Sequence, residues 1–273
     1  MEFGILGPLL VRDDAGRSRA VPAPKQRVLL ATLLLRRNQV CSPALLAERL
    51  WDGSPPRGET AALHNAVLRL RRCLVQAGDR IETCAGGYRL VVAPDEFDVH
   101  RFTELRAEGT AALRDRGYER ALVLLDAALS VWRGEALLDV PSEALHREES
   151  GRLADERLCA LEARVEAELQ LGRRSVVPEL QELTAAHPGR ERFWAQLMTA
   201  LTREDRPAEA LSAYGRVQRL LDEQLGVHPG PELRELHHRI LRADRPFPAP
   251  LAARVPAQRI PRAALRQPRE LVR

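Results

Sequence analysis

The segment LHNAVLRLRRCL, Leu63–Leu74, carries an imidazole, an amide and three guanidinium groups at helical spacing. Leu63, Val67, Leu70 and Leu74 recur so as to form one apolar face, which leaves His64, Asn65, Leu68, Arg69, Arg71 and Arg72 on or near the outward one. Asparagine and arginine read base edges with paired hydrogen bonds, and further arginines neutralise phosphates. The chemistry on offer is therefore non-covalent recognition of duplex DNA. An isolated LRLRR run equally fits a solvated charged helix face, so the elements that would position it decide between the two.

Those elements begin with Ser42 and Pro43, an N-cap followed by a proline at the first helical position, opening a short helix with Leu46, Leu50 and Trp51 inward. The loop DGSPPRGE then breaks the chain, and Thr60 is placed to cap the basic helix. Beyond Gly78, RIETCAGGYRLVV reads as two short strands turning at Ala85, Gly86 and Gly87. Upstream, FGILGPLLV and RAVPA read as short strands, and KQRVLLATLLLRR as an apolar helix starting after Pro24. Strands, three helices and a terminal hairpin make an α+β winged helix-turn-helix over residues 1–94.

Charge is segregated along the chain. The net charge of +4 comes from 42 basic and 38 acidic residues. Residues 1–94 hold 14 basic and 8 acidic residues, 95–244 hold 21 and 29, and 245–273 hold 7 and 1. A basic head on an acidic body is expected if only the head meets a polyanion. The predominance of arginine over lysine, with Lys25 alone, does not account for that segregation.

From Val99 onward, Ala- and Leu-rich segments alternate with breaks at Arg116-Gly117, Gly172, His187-Pro188, Asp205-Arg206 and His228-Pro229. RRSVVPELQELTAAHP from Arg173 and RPAEALSAYGRVQRLL from Arg206 are offset by 33 residues, close to the ~34-residue tetratricopeptide period. The second domain, 95–244, is read as an all-α tetratricopeptide-like helical-repeat array. It either offers a surface to another protein or forms a plain bundle that holds the DNA-binding heads in register. Residues 245–273 mix six prolines with seven arginines and little apolar pattern, which predicts a disordered basic tail.

Enzyme chemistry finds little support. HREE at His146–Glu149 lacks the second histidine of a zinc-protease motif and reads as a solvated helix face, and a metal at His228, His237 and His238 is strongly disfavoured. Cys41, Cys73, Cys84 and Cys159 are scattered, so buried reduced thiols are expected rather than a disulfide or zinc. Neither a GxxxxGK[ST] loop nor an acidic phosphoacceptor pocket is present. No cofactor or metal is expected, and no membrane span or signal segment is read, so the location expected is the cytoplasm, at the nucleoid.

Residues 1–94 resemble the response-regulator type of winged-helix DNA-binding domain. SVWRGEALLDVP, Ser130–Pro141, and PAEALSAYGRVQRLLDEQLGVHPGPELRELHHRIL, Pro207–Leu241, resemble the bacterial transcriptional activation domain. Together they resemble the Streptomyces antibiotic regulatory protein family. The resemblance implies a transcriptional activator of a natural-product gene cluster. Two protomers would bind directly repeated half-sites about one helical turn apart and recruit RNA polymerase through its sigma factor and other subunits.

It further implies that Arg69 contacts a base, that Asn65 and His64 face the major groove, and that Arg71 and Arg72 either contact phosphate or buttress the helix. Thr60 at the helix N-terminus suits a phosphate. In the wing, Arg80, Thr83, Tyr88 and Arg89 are candidates for backbone or minor-groove contact, with Tyr88 equally readable as the buried aromatic of the hairpin. Ala66 and Leu68 stand where relatives often carry polar or aromatic residues, so either the set of bases read differs or Leu68 leans on thymine methyls. The loop containing Asp52 and Arg57 is either a polymerase contact or an ordinary connection. A repressor or architectural protein with the same fold, or a protein-binding scaffold, remain the alternatives.

Overall fold

The computed structural model describes residues 1–172 and 175–242. They fall into two compact units, Met1–Ala167 and the residues from Glu168 onward. The tail expected from residue 245 lies outside the described residues.

The first unit opens with an antiparallel hairpin, β1 (Glu2–Gly4) and β2 (Leu10–Arg12), that sets Phe3 opposite Val11. FGILGPLLV thus supplies both strands of one hairpin. The strand expected at RAVPA does not form; only an isolated bridge joins Ser18 to Arg12. Pro22 within that segment and Pro24 directly after it remove backbone donors a ladder would need. Pro24 instead takes the first position of α1 (Pro24–Leu35), whose residues Val28–Leu34 are all buried, the pattern of a helix surrounded by its own domain.

Helix α2 (Pro43–Trp51) starts as expected, with Ser42 Oγ accepting from the Leu45 N–H at 3.2 Å. Leu46 and Leu50 are buried and Trp51 half-buried. Helix α3 (Glu59–Leu74) follows, then the hairpin β3 (Ile81–Cys84) and β4 (Gly87–Leu90) about a two-residue turn at Ala85-Gly86. A third extended segment lines β4: Cys41 and Tyr88 exchange backbone hydrogen bonds at 2.8 and 3.1 Å. Gly87 has φ 153°, and a Cβ there would collide with the Cys41 carbonyl, so the hairpin needs glycine where it crosses that segment.

Helices α4 (Asp98–Arg114) and α5 (Tyr118–Ser130) pair closely, with Gly109 on α4 packed against Leu125. Residues 131–140 then return to the N-terminal hairpin, where the Arg133 and Leu137 N–H groups each donate at 2.8 Å to the carbonyls of Leu6 and Ile5. One apolar core runs from Phe3, Leu30 and Leu70 through Phe102, Trp132, Leu137 and Leu153. The winged helix and these first helices are therefore packed as one body. Phe102 and Trp132 meet edge-to-face at 5.4 Å within it.

A short helix α6 (Glu143–Leu145) leads through a π-helical turn at His146–Ser150 into α7 (Gly151–Leu171). HREE is solvated in part: Arg147 and Glu148 are exposed and His146 and Glu149 half-buried, and His146 and Glu148 are also tied to the chain. His146 Nε2 lies 2.9 Å from the Val140 carbonyl, and Glu148 pairs with the buried Arg49 on α2.

In the second unit α8 (Val177–Ala186), α9 (Glu191–Arg203), α10 (Pro207–Leu225) and α11 (Pro231–Arg242) form two helical hairpins, broken at His187-Pro188, Asp205-Arg206 and His228-Pro229 as the sequence predicts. Helix α9 is the centre, burying Phe193, Trp194, Leu197, Met198 and Leu201, and it packs against α8, α10 and α11. Of the cysteines only Cys41 is buried. Cys73, Cys84 and Cys159 are half-buried. No helix among the described residues is long and apolar enough to cross a membrane.

Candidate nucleic-acid interface

Helix α3 is amphipathic in the phase expected: Leu63, Val67, Leu70 and Leu74 are its buried residues. Burying such leucine and valine side chains is worth about 1.5–3 kcal/mol each, which fixes the helix rotation. The opposite face exposes Asn65, Arg69 and Arg72, with Leu68 half-buried beside them. No hydrogen bond or ion pair engages the side chains of Arg69, Arg72 or Asn65 among the described residues. Glu59 in the first turn and Arg71 and Arg72 in the last suit the helix dipole.

The start of α3 departs from expectation. Gly58 is the N-cap, with φ 77°, and Thr60 is the second helical residue, exposed and making no cap hydrogen bond. Glycine adopts this left-handed geometry without the Cβ penalty, which lets the Pro-rich loop turn abruptly into the helix. Thr60 is left free on the surface at the positive end of α3.

Arg71 is drawn away from the outward face. Its Nε and Nη2 donate to the Ile81 carbonyl at 3.0 and 2.6 Å, and Nη2 donates to Thr83 Oγ1 at 2.9 Å. Of the two roles implied for it, this is the buttress. His64 is exposed on the same wing-facing side, with Nδ1 3.3 Å from the Tyr88 hydroxyl. Tyr88 itself is buried, so it is the hairpin's core aromatic, and only its hydroxyl reaches toward α3.

The other wing candidates are also tied to the chain. Arg89 makes two hydrogen bonds to Glu82 across the ladder at 2.5 and 3.0 Å, a bond that strengthens its hold on its proton. Arg80 donates to Glu96 at 2.5 Å. Burial opposes ionisation of Glu96, yet Arg80 and the Ala93 N–H outweigh it and hold the carboxyl below its ordinary value. The structure therefore separates the unengaged α3 side chains from wing arginines already neutralised by carboxylates.

In the loop after α2, Arg57 is exposed. Asp52 caps α2 in the left-handed region and turns inward: its Oδ1 accepts from the Ala144 N–H at 3.1 Å and lies 3.2 Å from Ser142 Oγ. Ser142 also donates to the Arg49 carbonyl at 2.9 Å. Sequence reasoning missed this link and a second one. Asp98, at the start of α4, accepts from the N–H groups of Ile5 and Leu6 at 3.0 and 2.9 Å and from Arg133 at 2.9 Å. Burial pushes its carboxyl up, against the pull of those donors. An aspartate at a helix start is an ordinary signal, and nothing local marks its partners 92 and 93 residues away.

Beside α3 lies an open cavity of about 330 Å³ lined by Lys25, Gln26, Trp51, Asn65, Arg69 and four smaller residues. Sequence reasoning assigned no role to Lys25, Gln26 or Trp51 there, although the chain's one lysine at the start of α1 was a usable signal.

Comparison with known proteins accords with this geometry. Residues 97–241 match the bacterial transcriptional activator domain, and residues 19–90 match the C-terminal domain of transcriptional regulatory proteins. The regulatory protein DnrI of Streptomyces peucetius is 38% identical over 254 residues, covering 89% of this chain and 93% of DnrI. The transcriptional regulatory protein EmbR of Mycobacterium tuberculosis is 38% identical over 262 residues, 94% of this chain and 67% of EmbR. The regulatory protein AfsR of Streptomyces coelicolor is 40% identical over 246 residues, but these span only 24% of AfsR. The solved structure of M. tuberculosis EmbR in complex with a low-affinity phosphopeptide superposes with a TM-score of 0.85 at 38% identity, covering 89% of this chain and 65% of that one. With both domains matched in order and DnrI matched over nearly its whole length, the chain belongs to the Streptomyces antibiotic regulatory protein family of transcriptional regulators.

Proposed function

We propose that this regulator is a sequence-specific DNA-binding activator of a natural-product gene cluster. Its winged-helix domain (1–94) reads promoter DNA and its helical repeats (95–244) support contact with RNA polymerase. The observation that carries the reading is the outward face of α3, where Asn65, Arg69 and Arg72 are unengaged while Arg71, Arg80 and Arg89 are bound within the chain. Unpaired arginines on a helix of this phase meet the needs of major-groove recognition: Arg69 and Asn65 on base edges, Leu68 against a thymine methyl, Arg72 on phosphate.

Two protomers occupy direct repeats about one helical turn apart. Thr60 at the α3 N-terminus and His64 on the wing side flank the base-reading set, and Thr83, at the exposed edge of the wing, approaches the backbone. Arg57 is the surface residue of the loop offered to polymerase and its sigma factor, and Asp52 fixes the loop that presents it. The protein works by binding, without catalysis or a cofactor, in the cytoplasm.

The test is a footprint of the full chain on promoter fragments from its own gene neighbourhood, coupled to transcription of the same templates by RNA polymerase. Protection of direct repeats with increased transcript supports activation. Protection with reduced transcript makes it a repressor, and no protection removes the DNA-binding reading.

A further inference from the structure

The cavity between the start of α1, the end of α2 and one flank of α3 shares Asn65 and Arg69 with the base-reading face of α3, but its Lys25, Gln26 and Trp51 have no part in that role. Its charged groups are Lys25 and Arg69, its polar groups the amides of Gln26 and Asn65, and its aromatic wall Trp51; no carboxylate lines it. Ala23, Ala62 and Ala66 keep it shallow and open beside the helix. Lys25 Nζ stands 5.3 Å from the centroid of the Trp51 ring, a cation–π contact that restrains the ammonium at the rim. Lys25 forms no ion pair among the described residues and is exposed, and the first turn of α1 contains no acid to compete for an anion. The ring, packed on the core at the end of α2, gives that cation a fixed mounting rather than a freely swinging stem.

We propose that this cavity seats one phosphate of the DNA backbone, held by the Lys25 ammonium and the Gln26 amide, so that α1 fixes how α3 lies in the groove. The inference rests on the DNA-binding reading above. A phosphodiester suits the lining because it is a compact anion with acceptor oxygens only, and every charged or amide group there can donate to it. Asn65 and Arg69 lie on the same wall, so a backbone strand seated over Lys25 borders the groove those two side chains enter. Lys25 thereby acts as a positioning contact: it contributes affinity without choosing a base.

The experiment compares the full-length wild type with Lys25→Gln and Lys25→Arg on two duplexes, the footprinted promoter site and a fixed unrelated sequence, across a salt series. A scan follows in which single phosphates of the promoter site are replaced by neutral methylphosphonates. One phosphate contact contributes a slope of about 0.9 in log K against log salt, or about eightfold at 0.1 M relative to 1 M. Lys25→Gln is expected to lose about that factor on both duplexes and to lower the salt slope by about one, with Lys25→Arg restoring most of it. One methylphosphonate position should weaken the wild type and leave Lys25→Gln unaffected. An unchanged salt slope in Lys25→Gln, or additive losses at every phosphate, overturns the clamp while wild-type binding preserves the DNA-binding reading. Wild-type protein that binds neither duplex overturns both.

Discussion

Arg71 on α3 donates to the Ile81 carbonyl through two nitrogens and to the Thr83 hydroxyl through one of them, so a recognition-helix arginine is built into the base of the wing. Its neighbour Arg72 is exposed and unengaged. Replacing each by alanine should therefore give opposite phenotypes. Arg71→Ala is expected to cost about 1.5–3 kcal/mol of stability, the range for hydrogen bonds to charged groups, as measured by denaturant unfolding. Arg72→Ala should leave stability within about 0.5 kcal/mol and weaken all DNA sequences alike. Equal stability of the two variants would contradict the brace.

The buried carboxylate of Asp98 ties α4 to the N-terminal hairpin and to Arg133. Asp98→Ala leaves two backbone donors and a guanidinium without their acceptor, and should destabilise by about 3–5 kcal/mol. Because that junction lies in the same core as α1 and α3, the thermal transition of the winged helix should fall with that of α4 and α5. Two separated transitions would show that the first helices and the winged helix unfold independently.

Asp52 joins the loop before α3 to the start of α6 through Ala144 and Ser142. Asp52→Ala should cost about 1 kcal/mol, as for loss of a helix cap. Operator affinity should be nearly retained while activated transcription falls, since the variant frees the loop bearing Arg57 without touching the outward face of α3. A proportional loss of affinity and activation would place Asp52 in DNA binding instead.

Much of this was legible in the sequence because it rests on local rules. The phase of α3 follows from four apolar positions, the start of α2 from Ser42-Pro43, and the helix breaks from Gly, Pro and Asp positions. What escaped depends on partners distant in the chain. Nothing in the sequence around Asp52, Arg49, Asp98 or Glu148 marks the partners to which the fold brings them, among them Ser142, Ala144, Arg133 and the hairpin amides. The ion pairs of the wing arginines were hidden for the same reason: Glu82 and Glu96 meet them only across the hairpin and the following turn. RAVPA and Thr60 were misread where proline and a left-handed glycine overrode side-chain propensity.

In the second unit His237 stacks on Tyr214 at 3.9 Å between ring centres, with His238 beside it. Burial, followed by the charge of His238, pushes the His237 imidazole below its ordinary value. A depressed folded value means the neutral ring contributes stability that is present above the unfolded value, about 6.5, and lost as pH falls through the folded one. His237→Phe keeps the stack and removes the proton, so its stability relative to wild type should rise on acidification below about pH 6.5. A pH-independent difference between the two would show that the stacking environment does not disfavour the imidazolium.

The central claim, that α3 reads bases with Arg69, is tested most directly by measuring Arg69→Ala binding to the footprinted promoter site and to an unrelated duplex at one salt concentration. The expected result is a loss of about 1–3 kcal/mol on the promoter site, roughly 5- to 150-fold, with a much smaller loss on the unrelated duplex. Unchanged binding to the promoter site, or the same loss on both duplexes, would contradict it.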